Sequence, residues 1–406
     1  MNILYIWDAD YPWDVRVEKI CKTLAKNGNE VHIAARNLKK LDEYEVIGEL
    51  KIHRLKTWKN DNVNYVWSFP IFFSPVWKKF LDQIILKHHI DLIIVRDLPM
   101  AIAGIWAGRR HKLPVIFDMA ENYIAMLKDI WKYKKFQGIN LIARNPYLAK
   151  IVERYAFKRV DHILVVVNEA MDIVVKSGVG SNKVTVVGNT PLLSVLNNQS
   201  SIVSKGLELI EARFSAIYVG GIQLGRGLHT VIEAIPEIVK KIPSFLFVVL
   251  GDGYGVERLK EIIREKRLEN HILWVGWVYH ESVYDYIRKC KIGLIPHLKT
   301  EHTNTTVPNK LFDYMGIGLP VVTTNAASLE RILSEEKCGL VFKSGDSHGL
   351  ARAVIEIYQS ENKFGENGNK AVRTKYNWER DEKKLLETID KVVTRKGIKG
   401  IPDRHS

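Results

Sequence analysis

The chain has 406 residues, of which 46% are hydrophobic and 26% are charged. This length predicts two domains, and this composition excludes a disordered, a collagen-like and a coiled-coil chain. The formal net charge of +14 predicts attraction to an anionic partner such as a nucleotide, a nucleic acid or an acidic membrane surface.

The first half of the chain alternates between apolar runs and amphipathic segments. Residues 2–7 and 30–35 are strand-like, and the helical spacing of apolar residues over 15–27 completes a β-α-β unit, with Gly28 as the helix stop. This alternation indicates a doubly wound parallel sheet. Further elements are predicted as strands at 91–95, 114–118, 162–167 and 183–187, and as a helix at 99–111.

Residues 190–206 are rich in Ser and Asn and are interpreted as a linker. A second alternating series follows, so the predicted fold class is α/β, with two Rossmann-like doubly wound domains that face a central cleft. The second series predicts strands at 214–219, 245–250, 272–275, 291–295 and 319–323, and helices at 227–240, 255–266, 281–288, 307–316 and 326–333.

The cysteines and the apolar runs suggest where the protein resides. Cys21, Cys290 and Cys338 are far apart, which argues against a disulfide framework and a structural zinc site. Asp8 and Asp10 lie where a signal peptide would have its apolar core, and no run reaches the ~18 apolar residues of a membrane-spanning helix. We expect a cytoplasmic protein, either soluble or peripheral on the inner face of the cell membrane.

The loops that follow the strands are where such sheets bind ligands. Strand 214–219 runs into GGIQLGRGL, in which Gly220 and Gly221 allow close approach of the backbone and Arg226 supplies a cation. This pattern suits a phosphate, although a glycine turn with a solvated arginine is an equal alternative. After the next strand, GDGYG with Gly253 predicts a tight turn and is only a weak nicotinamide signal, because the following strand does not end in an acidic residue.

The most informative loop follows strand 291–295 and leads into a helix whose first turn contains Pro308. Free N–H groups at the start of that helix, together with Lys310, suit a diphosphate. Asp313 follows little more than one turn later, near the same opening. Its carboxylate suits the two hydroxyls of a ribose.

The motifs GGIQLGRG, GDG, VGW and VPNKLFDYMGIGLPVV, in this order, resemble those of glycosyltransferase family 4, the retaining enzymes with the GT-B fold. CGLVFKSGD and YNWE continue the resemblance, as do MNILYIWDADYPWDVRV, LPVIFDMAENY and VTVVGNTP in the first half. It covers nearly the whole chain and is greatest for the subgroup that builds bacterial surface polysaccharides.

The resemblance implies transfer of a hexosyl or N-acetylhexosaminyl group from a nucleotide-diphosphate sugar to a hydroxyl of a glycan or a lipid-linked glycan. It implies no metal and no cofactor besides this donor. It also implies an acceptor-side domain at 1–190, a donor-binding domain at 207–377 and a C-terminal segment, 378–406, that returns to the first domain. The predicted donor-binding residues are Gly220, Gly221, Arg226, Gly253, Val278, Thr305, Thr306, Asn309, Lys310 and Asp313.

Several positions depart from the family motifs, including Gly221, where the family commonly has an arginine, and the following two. The first of the family's paired glutamates falls at Thr305, and the histidine of its D-x-H-E motif falls at Ala120. Asp118 and Glu121 retain the two acidic residues of that motif and are predicted to be catalytic, with a helix N-cap as the alternative for Asp118. The predicted acceptor-side residues are Asp14, Arg16 and Asn189.

Two alternative functions stay open. A sugar-nucleotide epimerase has the same architecture, but it would need its own acid and base in the cleft. A non-catalytic nucleotide-sugar-binding protein is compatible with the changes at Thr305 and Ala120. The thirteen histidines are scattered, and no metal-ligand cluster is predicted.

Residues 126–160 contain nine basic and two acidic residues. Within them, segment 126–136 places Lys128, Lys132 and Lys135 on one helical stripe among aromatic and aliphatic side chains. This combination suits an anionic membrane surface, and an ordinary surface helix is the alternative. Nucleic acid is not a predicted partner, because no nucleic-acid-binding motif accompanies the charge.

Overall fold

The computed structural model describes residues 1–12, 14–69, 74–133, 138–196 and 206–397. Two compact units are present: residues 1–188 together with the chain from Asp381 onward, and residues 189–380. Most of the predicted linker and residues 134–136 of the basic segment lie outside the described residues.

The first unit is built on an eight-stranded sheet with the order β3-β4-β2-β1-β5-β6-β7-β8. Its central strands are apolar along nearly their whole length, as expected for strands that are covered on both faces. Neighbours are parallel except β3 and β4, which form an antiparallel pair. The strands are β1 (Asn2–Asp10), β2 (Glu30–Arg36), β3 (Tyr44–Ile47), β4 (Leu50–Arg54), β5 (Leu92–Arg96), β6 (Val115–Met119), β7 (His162–Val165) and β8 (Val184–Val186).

Several helices of this unit begin at side-chain caps. Asp14 accepts hydrogen bonds from the backbone N–H groups of Arg16 and Val17, and Asn145 caps a helix that begins with Pro146. The helices are α1 (Val15–Lys26), α2 (Asp61–Trp67), α3 (Pro75–His88), α4 (Asp97–His111), α5 (Tyr123–Tyr133), α6 (Ile139–Ala143), α7 (Pro146–Arg159) and α8 (Asn168–Lys176).

The second unit contains a six-stranded parallel sheet with the order β11-β10-β9-β12-β13-β14. Large side chains on β9 and β10, among them Tyr218, Phe245 and Phe247, are fully buried in its core. The strands are β9 (Phe214–Val219), β10 (Phe245–Leu250), β11 (Ile272–Gly276), β12 (Ile292–Ile295), β13 (Val321–Thr324) and β14 (Gly339–Phe342).

Helices connect these strands, and short 3₁₀ turns precede several of the elements. Among the described residues, no helix combines the length and the apolar character that a membrane span requires. The helices are α9 (Leu193–Leu196), α10 (Leu207–Glu211), α11 (Leu228–Lys241), α12 (Val256–Glu265), α13 (His280–Lys289), α14 (Asn309–Ile317), α15 (Ala327–Glu336), α16 (Ser347–Gln359), α17 (Phe364–Thr374) and α18 (Trp378–Arg395), the last of which continues into the first unit.

The predicted α/β class and the two Rossmann-like sheets are confirmed, with element ends that shift by a few residues. The helix predicted at 307–316 begins at Asn309, because Pro308 takes the N-cap position. The pair β3 and β4 was not predicted, since β3 is exposed and carries no apolar alternation. Part of the segment predicted as a linker is helical, at α9.

His162, at the start of β7, is a buried titratable residue of the first unit. Its Nε2 lies 2.8 Å from Thr185 Oγ1, and its Nδ1 has no hydrogen-bond partner among the described residues. Burial, followed by the charges of Lys391, Arg395 and Lys183, lowers the pKa of the imidazole to about 4. The ring therefore stays neutral in the folded chain at pH values where the unfolded chain binds a proton.

We predict that the free energy of unfolding rises with pH between about 4 and 6.5, with up to ~3 kcal/mol contributed by His162. In His162→Gln this contribution is absent, so urea denaturation at several pH values should give a shallower pH dependence. The matched control is His348→Gln, because His348 is 77% exposed. Equal slopes for His162→Gln and wild type would contradict the prediction.

Candidate active site

The carboxyl ends of the central strands of the second sheet carry most of the predicted donor-binding residues. The strand order reverses between β9 and β12, and in such sheets ligands bind beside the loops that follow these strands. The loops are residues 220–227 after β9, 251–255 after β10 and 296–308 after β12. These three loops are therefore the candidate donor site.

The loops after β9 and β10 are joined through their backbones. Ile222 N–H donates a 2.9 Å hydrogen bond to the Asp252 carbonyl oxygen. A Cβ atom on Gly253 would lie 2.2 Å from the Ile222 carbonyl oxygen, and one on Gly251 would lie 2.0 Å from that of Gly220. Both Gly251 and Gly253 also have positive φ angles, 136° and 157°. Glycine at these positions is thus required for the contact between the loops.

Two predicted cations meet at His297, which follows β12 and is 2% exposed. Arg226 Nη1 lies 3.4 Å from Nδ1 of this ring, and Lys310 Nζ lies 3.4 Å from its Nε2. Lys310 Nζ also lies 3.9 Å from the centroid of the Tyr218 ring and 3.0 Å from where a Cβ atom of Gly220 would be. The missing side chain at Gly220 therefore makes room for the ammonium group.

The electrostatics of this cluster favour an anion. Burial, followed by the charges of Lys310 and Arg226, lowers the pKa of His297, so its ring is neutral at neutral pH. A neutral imidazole accepts a hydrogen bond at only one of its nitrogens, so it satisfies only one of the two cations. Burial and the charge of Arg226 also lower the pKa of Lys310. Because this lowered pKa disfavours the charged form of Lys310, a phosphate oxygen beside it would stabilise the ammonium group and relieve its repulsion with Arg226.

Helix α14 brings Asp313 and Asn309 to the same loop region. Tyr284 O–H on α13 donates a 3.2 Å hydrogen bond to Asp313 Oδ1, and both Asp313 and Asn309 are partly exposed. Thr305 differs, because its buried hydroxyl donates to carbonyl oxygens of its own loop at 3.2 and 3.0 Å. The geometry therefore gives Thr305 a role in shaping the loop in place of its predicted contact with the donor.

The remaining predicted donor residues lie on two of these loops and in the segment that follows β11. The Gly221 carbonyl oxygen accepts a 2.9 Å hydrogen bond from a tyrosine hydroxyl at the end of β9, and Thr306 is partly exposed before α14. Val278 follows β11 between Trp277 and Tyr279, which are 65% and 63% exposed and whose ring centroids are 4.9 Å apart. This aromatic pair was not predicted from the sequence, and its exposed rings suit stacking on a planar group.

In the first unit, Asp118 lies at the end of β6 and is fully buried. Arg16 Nη2 donates to its Oδ1 at 2.6 Å, Arg16 Nε lies 3.0 Å from both carboxylate oxygens, and Tyr5 O–H donates to its Oδ2 at 2.7 Å. Arg16 Nη1 donates to the Val187 carbonyl oxygen at 2.9 Å. Although burial alone would raise the pKa of Asp118, Arg16 and the Tyr5 hydrogen bond hold it below its usual value.

This network changes two of the predicted roles. Asp118 was predicted to be catalytic and Arg16 to contact the acceptor, but the side chain of Asp118 is fully buried and that of Arg16 is 3% exposed. Each carboxylate oxygen of Asp118 already accepts hydrogen bonds. We therefore assign both residues a structural role within the first unit. The N-cap alternative for Asp118 also does not apply, because α5 begins later, at Tyr123.

Glu121, which was predicted to be catalytic, and the other two predicted acceptor-side residues, Asp14 and Asn189, are more accessible. Asp14 caps α1, forms an ion pair with Arg96 and is 27% exposed. Glu121 is partly exposed between β6 and α5. Asn189 is partly exposed as well, at the first position of the second unit.

Asp97 is a candidate residue that the sequence analysis missed. It follows β5 directly and has a φ of 57°, which is strained for a residue other than glycine. Its Oδ1 is buried without a hydrogen-bond partner among the described residues, and burial raises its pKa to about 8. Asp8, near the end of the neighbouring strand β1, has its pKa raised to about 6 by burial. Both residues lie just after or near the ends of two adjacent central strands, and this position could have identified them from the sequence.

Two family models match the chain over most of its length. The model described as Glycosyltransferase Family 4 matches residues 14–190, and the model described as Glycosyl transferases group 1 matches residues 199–373. The chain belongs to the family 4 glycosyltransferases. An uncharacterized glycosyltransferase of Methanocaldococcus jannaschii is 18% identical over 390 residues, which cover 94% of this chain and 95% of that protein.

Solved structures of other glycosyltransferases have the same fold as this family 4 glycosyltransferase. Sucrose-phosphate synthase from Thermosynechococcus elongatus superimposes with a TM-score of 0.77 at 16% identity, covering 97% of this chain and 99% of that one. HepE of Anabaena in complex with UDP-glucose superimposes with a TM-score of 0.68 at 16% identity, covering 96% and 100%. The fold of this chain is GT-B.

We predict that Asp118→Asn destabilises this glycosyltransferase, because Arg16 would keep its buried charge without a counter-charge. The expected loss is about 3–5 kcal/mol in the free energy of unfolding, measured by chemical denaturation. Asp61→Asn is the matched control, because Asp61 is 85% exposed in its ion pair with Lys40. An Asp118→Asn variant with wild-type stability and no sugar transfer would instead support the catalytic role.

Proposed function

We propose that the protein transfers a sugar, with retention at the anomeric carbon, from a nucleotide-diphosphate sugar to an acceptor hydroxyl. The observation that carries this proposal is the pair of cations, Arg226 and Lys310, on the neutral ring of His297. Two cations beside a glycine-rich loop and a helix N-terminus suit a diphosphate. The UDP-glucose bound to HepE supports a donor of this class.

The same groups would assist the reaction. When the bond from the anomeric carbon to the diphosphate breaks, the bonding electrons stay on the diphosphate oxygen. Arg226, Lys310 and the N–H groups at the start of α14 would stabilise this developing charge. The chain's own cations thus supply the charge stabilisation, and we propose that transfer needs neither a metal nor a further cofactor.

The rest of the donor has candidate contacts on α14 and in the segment that follows β11. Asp313 is partly exposed and accepts a hydrogen bond from Tyr284, and its carboxylate could also accept hydrogen bonds from ribose hydroxyls. Trp277 and Tyr279 offer exposed rings on which a base could stack. This arrangement accounts for binding of the nucleotide and leaves the identity of the sugar to other contacts.

On the acceptor side we propose Asp97, Asp8 and Glu121 as the residues that contact the sugar hydroxyls. With a pKa of about 8, Asp97 is mostly protonated at neutral pH and can donate a hydrogen bond. With a pKa of about 6, Asp8 is mostly ionised and can accept one. A hydroxyl group both donates and accepts, so this pair of carboxyl groups is complementary to it.

We further propose a lipid-linked glycan as acceptor, bound from an anionic membrane surface. Ile142 on α6 and Tyr147 and Ile151 on α7 are 63%, 80% and 65% exposed. The neighbouring helix α5 contacts the end of α6, because Trp131 Nε1 donates a 2.7 Å hydrogen bond to the Arg144 carbonyl oxygen. Exposed apolar side chains beside a basic segment are typical of interfacial binding. Residues 126–133 of the predicted 126–136 segment are in α5, and residues 134–136 are outside the described residues.

We predict that Arg226→Ala weakens nucleotide-sugar binding by about 1.5–3 kcal/mol, or roughly 10- to 150-fold in Kd, because a charge-assisted hydrogen bond is lost. Calorimetry with a panel of UDP- and GDP-sugars measures this change and also identifies the donor. Arg258→Ala removes an equal charge from the exposed face of α12 and should leave Kd unchanged. Equal affinities for all three proteins would refute the donor site, and wild-type binding without any transfer would favour a non-catalytic protein.

We also predict that Lys128→Gln combined with Lys132→Gln weakens binding to anionic vesicles by ~2 kcal/mol, at about 1 kcal/mol per lysine. The loss should shrink at high salt, where screening already weakens the attraction. Ile151→Asn should weaken binding with little dependence on salt, because its contribution is apolar. Lys240→Gln combined with Lys241→Gln is the control with the same change in net charge. If the wild-type protein does not bind anionic vesicles at low salt, the proposed membrane binding is refuted.

A further inference from the structure

Three histidines that are far apart in the chain lie together in the first unit. His32 is in β2, His53 is in the adjacent strand β4, and His88 is the last residue of α3. One ring nitrogen of each lies within 4.8 Å of those of the other two. No metal-ligand cluster was predicted from the sequence, because these residues are brought together only by strand pairing and helix packing.

The hydrogen bonds of the cluster direct ring nitrogens toward its centre. Glu30 Oε1 lies 2.9 Å from His32 Nε2, so this nitrogen donates to the carboxylate and His32 Nδ1 keeps its lone pair. His53 Nε2 lies 2.9 Å from that Nδ1. His88 Nε2 is buried and has no hydrogen-bond partner among the described residues. A buried nitrogen without a partner is unfavourable unless a ligand satisfies it.

The distances between the ring nitrogens suit a metal ion. Zinc bound tetrahedrally at about 2.0–2.1 Å places its ligand nitrogens roughly 3.4 Å apart. The observed separations, from 2.9 Å up to 4.8 Å, lie on both sides of this value, so small ring rotations would close the site.

We propose that His32, His53 and His88 bind one zinc ion, with a water molecule in the fourth position. Glu30 would hold the His32 tautomer from the second coordination shell, as carboxylates commonly do beside metal-bound histidines. Glu30 is itself held by Lys51, whose Nζ lies 2.6 Å from Oε1. The site thus has three ligands and an oriented outer partner.

The position of the site points to a structural role. The His88 carbonyl oxygen accepts a 2.8 Å hydrogen bond from Asn2 Nδ2 at the start of β1, whereas Asp8 of the proposed acceptor side lies toward the other end of that strand. Zinc would join β2, β4 and α3, which are distant in the chain. It would therefore stabilise the β3-β4 edge of the first sheet and take no part in sugar transfer.

The test uses the full-length protein after treatment with EDTA and removal of the chelator. We expect wild type to take up one equivalent of zinc, measured by elemental analysis, and its melting temperature to rise by roughly 5 °C at saturating zinc. Cobalt in place of zinc should give the visible absorption bands of a tetrahedral complex. Sugar transfer should be the same with and without zinc.

His88→Asn should lose the bound equivalent and the shift in melting temperature. The matched control is His89→Asn, because His89 is the exposed neighbour and its left-handed backbone, with φ of 49°, accepts asparagine. Equal zinc uptake by the two variants, or no uptake by wild type, would overturn the site. Loss of sugar transfer on chelation that zinc restores would overturn its structural role.

Discussion

The first unit depends on a carboxylate that is completely withdrawn from solvent. Asp118 forms hydrogen bonds with Arg16 and Tyr5, and Arg16 continues to the Val187 carbonyl oxygen. One ionic network thereby joins β6, α1 and β1 to the end of β8. Because an unpaired buried charge is costly, these elements are stable only together, and their packing fixes the edge of the sheet where Asp8 and Asp97 lie.

Charge is used differently in the two units. In the first, Arg16 is paired with Asp118, and Arg96 is paired with Asp14 and lies 3.4 Å from Asp97. In the second unit, Arg226 and Lys310 each lie 3.4 Å from a nitrogen of the neutral His297 ring, and this ring takes the place that a carboxylate has in the first unit. Paired ions rigidify a structure, whereas cations held against a neutral group keep their attraction for an incoming anion.

The sequence predicted those parts of the fold and of the candidate site that are determined by residues close together in the chain. The alternating pattern gives both sheets, and Gly220, Arg226 and Lys310 stand out because each lies at a fixed place beside a strand end or a helix start. His297 was missed because a single histidine after a strand has no distinctive local pattern. Its importance comes from Arg226 and Lys310, which reach it from two other segments.

Contacts between residues that are far apart in the chain explain the other differences between the sequence predictions and the structure. Asp118 has the sequence position of a catalytic residue. Only the structure shows that its carboxylate is paired with Arg16, which is 102 residues away in the chain. His53 and His88 carry no metal-ligand spacing, since their approach depends on strand and helix packing. β3 escaped prediction because an exposed edge strand needs no apolar alternation.

The contact between the two glycine loops affects how the donor site forms. Since Ile222 is bonded to Asp252 and the glycines beside them leave no room for side chains, neither loop can move without the other. The loops are therefore already ordered before a ligand arrives, and binding loses little conformational entropy there. In the proposed donor site, a nucleotide would then meet two loops that already have their final arrangement, so its selection would depend on how well it complements a preformed surface.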